Sequence, residues 1–221
     1  MNWRIFCDFD GTVAQNDVGN LVFTTFGDAS HWWALVQAWR DKKIHACELW
    51  QKQAAVTRIT VEQLDRFVVD QPIDPFFAEF CRRCSEHQLP ITVVSDGMDA
   101  YIERILRQNG LANLEIRSNR LTIEADGRLQ VAFPYLAQSC GSCANCKGLH
   151  LRLARQEGAK TVYVGDGYSD LCALAEADLL FAKDDLLSYC QVHHIDCIPY
   201  RTFQDVQTLF FQRLSQDDPS R

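Results

Sequence analysis

Short apolar runs alternate with longer amphipathic stretches along this chain, and the alternation predicts strands separated by helices. The runs that we predict to be buried strands lie at residues 3–6, 91–94, 161–164 and 179–182. Most are rich in valine, isoleucine or aromatic side chains, which favour a pleated and closely packed backbone. Strands that alternate with helices are typical of an α/β fold with a parallel sheet and right-handed crossovers.

A long helical stretch separates the first predicted strand from the second. We predict that residues 16–72 form a small helical cap domain, inserted into a core domain of residues 1–15 and 73–221. Four of the five tryptophans fall between residues 32 and 50. They are predicted to pack this cap, and the alternative is that one or two line a pocket for an apolar substrate tail.

Local signals add detail to this plan. Ser30 is predicted to cap the helix that carries the tryptophans, and Thr60 has Gln63 at the spacing of a capping box. An Asp-Gly pair at 126–127 joins two alternating apolar segments and predicts a β-hairpin. A further helix is predicted over residues 171–177, before the fourth strand.

Three of the predicted strands end in polar residues. Asp8 and Asp10 follow the first strand, Ser95 follows the second, and Asp166 and Asp170 follow the third. Ligands bind at the carboxyl edge of an open parallel sheet, so we expect these side chains to share one site. Several carboxylates in one cleft suit a divalent cation together with a phosphoryl group.

Phosphoryl transfer needs a nucleophile, a proton donor and positive charge, and the chain offers all three. Asp8 is the predicted nucleophile, and Asp10 is predicted to protonate the leaving oxygen and then to activate water. Lys147, at the start of a predicted helix, would offset the charge of the transition state. The predicted magnesium ligands include Asp8, Asp10 and Asp166. The residues predicted to bind the phosphate are Gly11, Thr12, Ser95, Asp96 and Gly97.

Composition and charge restrict the kinds of partner. The 221 residues are 47% hydrophobic, and their net charge of -7 disfavours nucleic acids and acidic membranes as partners. No apolar run has the length of a membrane span. Arg4 and Asp8 interrupt the first apolar stretch, unlike in a signal peptide, so we expect a cytoplasmic protein. The expected substrate is a small phosphorylated metabolite.

Ten cysteines in a reducing compartment are expected to be thiols or metal ligands rather than disulfides. Cys140, Cys143 and Cys146 stand at turn spacing directly before Lys147, and His150 is a candidate fourth ligand. Two interpretations stay open: a Zn2+ site, or structural thiols without a metal.

Four motifs together resemble those of the haloacid dehalogenase (HAD) superfamily of phosphatases. They are Asp8-Phe9-Asp10-Gly11-Thr12, Ser95-Asp96-Gly97, Lys147 and Gly165-Asp166-Gly167-Tyr168-Ser169-Asp170, in the superfamily's order. The resemblance implies a Rossmann-like core, dependence on Mg2+ and an aspartyl-phosphate intermediate, and it adds Asp170 to the metal-binding residues. A second acid at position 10 is similar to the phosphatases and mutases rather than to the dehalogenases.

A helical cap after the first motif is similar to the phosphoserine-phosphatase-like branch. Within it, the chain most resembles methionine-salvage enzymes that dephosphorylate 2-hydroxy-3-keto-5-methylthiopentenyl-1-phosphate, notably at Cys143-Ala144-Asn145-Cys146-Lys147. Asp17 lies where this branch has an acidic residue that faces the substrate, and a helix N-cap is the alternative. The branch's cap arginine corresponds roughly to Trp50, which is not basic, and Arg58 is the nearest alternative, so phosphoserine fits less well.

The resulting hypothesis is a Mg2+-dependent phosphomonoesterase for a small metabolite, with the methionine-salvage intermediate as the leading candidate. The alternatives are a phosphotransferase or mutase on the same scaffold, or a phosphatase for phosphoserine, pyridoxal phosphate or a phospholipid headgroup. A catalytically silent binding protein is the least favoured, because the set of site residues is intact.

Overall fold

One seven-stranded sheet organises the part of the chain that the computed structural model describes, residues 2–217. The strands are β1 (Trp3–Cys7), β2 (Ile91–Met98), β3 (Glu115–Ile123), β4 (Leu129–Ala132), β5 (Lys160–Gly165), β6 (Leu179–Ala182) and β7 (Ile198–Pro199). Their order across the sheet is β4-β3-β2-β1-β5-β6-β7. Neighbouring strands are parallel except for β3 and β4, which are antiparallel. The predicted α/β class with a parallel sheet is therefore confirmed.

Nine α-helices lie within the same described residues. They are α1 (Val18–Phe26), α2 (Ala29–Arg40), α3 (Ala46–Val56), α4 (Val61–Val69), α5 (Phe77–Glu86), α6 (Asp99–Gln108), α7 (Lys147–Gln156), α8 (Asp184–Val192) and α9 (Phe203–Asp217). The helices α1 to α4 all fall between β1 and β2, and we call them the helical insertion. Within residues 2–217, no helix is long and apolar enough to cross a lipid bilayer.

Strand β1 lies at the centre of the sheet because it can be buried on both faces. Ile5 and Cys7 have no solvent exposure. Cys7 is paired with Val93 of β2 on one side and with Val164 of β5 on the other. These three residues stand at the same level of the sheet, so the polar residues that follow them reach the same edge.

Two local predictions are wrong. Asp28 caps α2 in place of Ser30, because its carboxylate accepts hydrogen bonds from the backbone N–H groups of Ser30 and His31 at 2.9 and 3.1 Å. A short 3₁₀ helix, Tyr168–Ala173, takes the place of the helix predicted over residues 171–177. The carboxylate of Asp170, within this 3₁₀ helix, accepts hydrogen bonds from the backbone N–H groups of Asp166 and Gly167 in the preceding turn. These bonds stabilise the compact conformation of the segment.

Other local predictions are confirmed. Thr60 caps α4 in the predicted capping box, and β3 and β4 form the predicted hairpin, with Gly127 in its turn at a φ of +80°. The rings of Phe23, Trp32 and Trp50 pack against one another inside the helical insertion, with centroids 5.3 to 5.5 Å apart. These aromatic side chains supply much of the apolar area that holds the insertion together.

The helical insertion is bonded to the rest of the molecule at several places, two of which involve backbone bridges. Ala14 and Ile73, which flank it in sequence, form an antiparallel bridge. Between α3 and α4, the backbone N–H of Ile59 donates to the carbonyl oxygen of Gly127 at 3.0 Å, beside a second antiparallel bridge. The insertion therefore contacts the β3–β4 hairpin as well as its own two connections.

Candidate active site

A cavity opens between the carboxyl edge of the sheet and the helical insertion. From the sheet edge it is lined by Asp8, Asp10, Ser95, Asp96, Gly97, Lys147 and Asp166. From the insertion it is lined by the polar residues Asp17 and Asn20, and by the apolar residues Trp32, Trp33, Val36, Trp39, Leu49 and Trp50. The fold therefore gathers residues from distant parts of the sequence around one space, as the strand-end pattern predicts.

Asp8 is held rigidly at the end of β1. Its backbone N–H donates to the carbonyl oxygen of Val164 at 2.9 Å, and its Oδ1 accepts a hydrogen bond from the N–H of Phe9 at 2.7 Å. The chain then turns through Gly11, which has a φ of +78°. A Cβ at this position would lie 2.3 Å from Oδ2 of Asp166, so only glycine fits the turn.

Asp10 faces the start of α1. Its Oδ1 accepts hydrogen bonds from the backbone N–H groups of Val18 and Gly19 at 2.8 and 3.2 Å, and its Oδ2 accepts one from the hydroxyl of Tyr101 at 3.1 Å. Burial, and then the negative charge of Asp17, raise the pKa of Asp10 to about 7. Such a carboxyl group can both give and take a proton near neutral pH.

Lys147 is the first residue of α7, and its ammonium group is almost completely buried. Its Nζ lies 2.7 Å from Oδ1 of Asp8 and 2.7 Å from the hydroxyl of Ser169, and it also contacts Asp170. Burial alone would lower the pKa of Lys147, but Asp170 and Asp8 together raise it well above its ordinary value. Lys147 therefore stays charged and holds Asp8 in place.

The acidic loop after β5 is organised by Asp170, which is fully buried. Its carboxylate accepts hydrogen bonds from the hydroxyl of Tyr163 at 2.7 Å and from the backbone N–H groups of Asp166 and Gly167 at 2.9 and 3.0 Å. Asp166 in turn accepts a hydrogen bond from the hydroxyl of Thr12 at 2.7 Å. Burial, and then the charge of Asp170, raise the pKa of Asp166 to about 7.

Three of the predicted metal-binding residues form a set that fits a hard divalent cation. Carboxylate oxygens of Asp8, Asp166 and Asp170 lie within 4.8 Å of one another. When all three are ionised, Lys147 balances only one of these negative charges, so the set keeps an excess of negative charge. Oxygen donors and this charge both suit Mg2+. The side chain of Asp10, by contrast, lies outside this set and faces α1.

The predicted phosphate-binding segment lies at the end of β2. Ser95 is buried, and its Oγ accepts a hydrogen bond from the backbone N–H of Gly97 at 2.9 Å. Asp96 accepts hydrogen bonds from the backbone N–H of Asn145 at 2.6 Å and from the side-chain amide of Asn119 at 3.2 Å. Burial raises the pKa of Asp96 to about 6. Asp96 thus joins β2 to the segment before Lys147 as well as lining the cavity.

Asp17 is the N-cap of α1, as one of its two interpretations predicts. Its Oδ1 accepts a hydrogen bond from the backbone N–H of Asn20 at 2.8 Å, which caps α1. The residue also lines the cavity, so its predicted contact with the substrate stays a prediction. Burial raises its pKa above the ordinary value.

The cysteine segment, residues 140–146, directly precedes Lys147 in the sequence. Sulfur atoms of Cys140, Cys143 and Cys146 lie within 4.8 Å of one another. The predicted fourth ligand, His150, is not among them, because its Nε2 is 2.6 Å from the side-chain oxygen of Asn145. Burial, and then the neighbouring Arg117, lower the pKa of His150 to about 4, so the ring is neutral. The expectation for His150 is therefore wrong.

Sequence reasoning misses three polar residues that shape the site. Tyr101 bonds to Asp10 from the first turn of α6, Asn145 links the carbonyl oxygens of Ser95 and Arg117, and Tyr163 bonds to the acidic loop. Tyr101 carries a usable signal, since it lies four residues after the glycine that ends the Ser95 motif. The first turn of a helix that starts at the sheet edge points toward the ligand site.

Known proteins resemble this chain over nearly its whole length. The family model described as Putative Phosphatase matches residues 4–191. The chain is 28% identical to Pdp3-interacting factor 1 of Schizosaccharomyces pombe, over 94% of this chain and 96% of that protein. It is 29% identical to a 2-hydroxy-3-keto-5-methylthiopentenyl-1-phosphate phosphatase of Bacillus cereus (strain B4264), over 94% of this chain and 95% of that enzyme.

The fold is similar to that of a substrate-bound phosphoserine phosphatase. The TM-score is 0.71 at 20% identity, and the match covers 95% of this chain and 98% of the other. The family model alone spans most of the sequence, including every residue of the acidic edge described above. The chain therefore belongs to the Putative Phosphatase family and is a phosphatase of the HAD superfamily.

Proposed function

We propose that this phosphatase hydrolyses the phosphate monoester of a small metabolite through a covalent phosphate on Asp8. The observation that carries the proposal is the arrangement of Asp8, Lys147 and Asp10 around one cavity. The first two form a buried ion pair at 2.7 Å, and the pKa of the third is about 7. A fixed nucleophile and a group that exchanges protons near neutral pH are what two-step phosphoryl transfer requires.

In the first step, a carboxylate oxygen of Asp8 attacks phosphorus and the bond to the leaving oxygen breaks. Asp10 donates its proton to that oxygen, and the alcohol leaves. In the second step, Asp10 takes a proton from water as the water attacks phosphorus, which releases inorganic phosphate and restores both carboxyl groups. Lys147 keeps Asp8 oriented, and its charge opposes the charge that develops in both steps.

Asp8 and Asp166 are the proposed magnesium ligands, with Asp170 holding Lys147 and the loop beside them. When bound, Mg2+ would supply positive charge to the phosphoryl oxygens. Turnover is therefore expected to disappear with EDTA and to return with MgCl2. Turnover that persists in EDTA would contradict this part of the proposal.

The apolar wall supports a substrate with an apolar tail. Trp33 is 52% exposed and lines the cavity together with the other side chains of that wall. A methylthio group would fit there, which makes the substrate named for the Bacillus cereus relative our first candidate. We also propose that residues 16–72 act as a cap, since this wall comes from the helical insertion.

An amino-acid phosphate is the second candidate, because one arginine does reach the cavity. Arg40 lines it, 4.0 Å from Asp185 and over the ring of Tyr168. Arg58 does not serve this role, since its guanidinium group bonds to the backbone carbonyl oxygens of Ala55 and Thr57. A carboxylate on the substrate could pair with Arg40 instead.

Activity on p-nitrophenyl phosphate with MgCl2 tests the reaction itself. Asp8→Asn is expected to lower kcat by at least about 1,000-fold, while Asp126→Asn, in the exposed hairpin turn, is expected to leave it unchanged. Mass spectrometry of acid-quenched wild type is expected to find a phosphoryl group on Asp8. Equal turnover by Asp8→Asn would refute the role of Asp8, and phosphate transfer to added alcohols in preference to water would favour a phosphotransferase.

The substrate is tested by comparing kcat/KM for the methylthio substrate and for phosphoserine. Trp33→Ala is expected to lower kcat/KM for the methylthio substrate by about 10-fold or more, because the tail loses its apolar contact. Val69→Ala, an exposed apolar residue outside the cavity, is the matched control. A preference for phosphoserine that Arg40→Met removes would support the second candidate.

The thiols of Cys140, Cys143 and Cys146 form a second proposed metal site, for Zn2+. Three thiolates are one ligand short of the four protein ligands of structural zinc sites. His150 does not complete the set, because it is bonded to Asn145.

A further inference from the structure

A fourth thiol lies beside the cysteine segment, on a distant part of the chain. Cys172 belongs to the 3₁₀ helix after the acidic loop, and its sulfur is 3.9 Å from that of Cys143. The sulfur atoms of Cys140 and Cys143 are 3.5 Å apart, and that of Cys146 lies within 4.8 Å of both. All four are free cysteines.

We propose that Cys140, Cys143, Cys146 and Cys172 together bind one Zn2+ as a tetrathiolate site. A tetrahedral zinc site with Zn–S bonds of about 2.3 Å places its sulfur atoms about 3.8 Å apart. Two of the sulfur–sulfur distances, 3.5 and 3.9 Å, are close to this value. They are also far longer than the bond of a disulfide, which is about 2.05 Å.

A backbone N–H group is directed at one of the four sulfur atoms. The backbone N–H of Gly148 donates to the sulfur of Cys172 at 3.5 Å. N–H groups directed at sulfur stabilise its negative charge in the same way as the hydrogen bonds that support other metal ligands.

The backbone is shaped to bring the first two thiols together. Gly141 adopts a φ of +87°, which turns the chain sharply between Cys140 and Cys143. The hydroxyl of Ser139 donates to the carbonyl oxygen of Cys143 at 2.6 Å and closes the same turn. This turn places two ligands three residues apart, as in many zinc sites.

The position of the site gives it a structural role. Cys146 directly precedes Lys147, and Cys172 follows Asp170 by two residues. A zinc ion on these thiols would therefore link the start of α7 to the acidic loop. With four protein ligands the ion has no open position, so it would not react with substrate.

Zinc content tests the proposal independently of phosphatase activity. Wild type purified under reducing conditions, without chelator or added metal, is expected to contain about one zinc ion per chain by mass spectrometry. Cys172→Ser is expected to weaken zinc binding by more than about 100-fold, because it removes a direct ligand. Cys197→Ser, which alters a cysteine outside the cluster, is the matched control and is expected to keep the ion.

Cobalt substitution of the wild type keeps the proposal testable if Cys172→Ser does not fold. Co2+ in this site is expected to give the intense sulfur-to-cobalt absorption of four thiolates in tetrahedral geometry. A cobalt spectrum with fewer thiolates would overturn the assignment of Cys172. So would full zinc affinity in folded Cys172→Ser, or wild type that stays free of zinc after incubation with ZnCl2 while its thiols are reduced.

Discussion

Replacement of Lys147 by methionine is expected to destabilise the fold strongly, because one buried ammonium group contacts two buried carboxylates. Methionine keeps the length and apolar stem of the side chain but removes the charge. Asp8 then loses its partner at 2.7 Å, and Asp170 loses its direct contact. Both carboxylates stay in a place that excludes water, with Asp166 beside them.

The magnitude follows from burial. Removing one partner of a buried ion pair costs about 3–5 kcal/mol of the free energy of unfolding, and here two pairs depend on the same ammonium group. We therefore expect a loss near the upper end, about 5 kcal/mol. For a domain of this length, each kcal/mol shifts Tm by about 2–4 °C, so the lowest figure already implies a fall of about 6 °C.

The loss is expected to depend on pH in a defined direction. Without Lys147, the pKa values of Asp8 and Asp166 rise further above their ordinary values in the folded state, so that state binds more protons than the unfolded chain. Stability then falls as the pH rises from the unfolded value of about 4 toward the folded pKa. The destabilisation by Lys147→Met is therefore expected to be larger at about pH 8 than at about pH 5.5.

Urea unfolding of wild type and variant at both pH values measures the loss in free energy of unfolding. The buffers contain EDTA, so that no metal cation replaces the missing charge. Lys52→Met is the matched control, since Lys52 pairs with Glu48 at 2.8 Å on an exposed face. It is expected to change stability by less than about 0.5 kcal/mol at either pH. A Lys147→Met variant as stable as the control, or equally destabilised at both pH values, would refute the charge argument.

Three further substitutions test other parts of the structure. Tyr101→Phe removes a hydroxyl group that donates a hydrogen bond to Asp10 and lowers its pKa. The pH optimum of kcat is therefore expected to rise, and an unmoved optimum would contradict the proton-transfer role of Asp10. Thr60→Ala is expected to cost about 1 kcal/mol in urea unfolding with kcat unchanged, and no loss would mean that the capping box contributes nothing. Gly148→Ala places a Cβ 2.1 Å from the carbonyl oxygen of Cys172 and is expected to cost about 1–3 kcal/mol, measured by thermal unfolding; a neutral result would show that α7 and the 3₁₀ helix separate easily.

The sequence predicts the acidic edge well because the relevant information is local. Each of the three central strands is an apolar run that ends in a polar residue, and parallel pairing brings those ends together. The register of Cys7 with Val93 and Val164 then places Asp8, Ser95 and Asp166 as expected. No long-range information beyond the sheet type is needed for that part of the site.

The sequence pattern does not predict side-chain contacts between segments that are distant in the chain. The bond from Tyr101 to Asp10 joins α6 to the turn after β1, and the approach of Cys172 to Cys143 joins the 3₁₀ helix to the cysteine segment. The failure at His150 has the same origin, since its spacing from the cysteines suits a ligand but its ring is turned to a neighbouring amide.

The two C-terminal helices that the sequence prediction omits have different explanations. Helix α8 begins at Asp184, which has a φ of +48°, a conformation that local preference disfavours. Helix α9, by contrast, shows usable apolar spacing at Phe203, Val206 and Phe210, all of which are buried.

The hydrogen bond from Ile59 to Gly127 has a consequence for how the cavity can open. Rotation of the helical insertion about its two chain connections alone would break this bond, so an opening motion must either break it or carry the β3–β4 hairpin along. Hydrogen exchange at the amide of Ile59 would distinguish these two motions, because the amide is protected only while the bond holds. A probe on the hairpin would then report on the opening of the cavity.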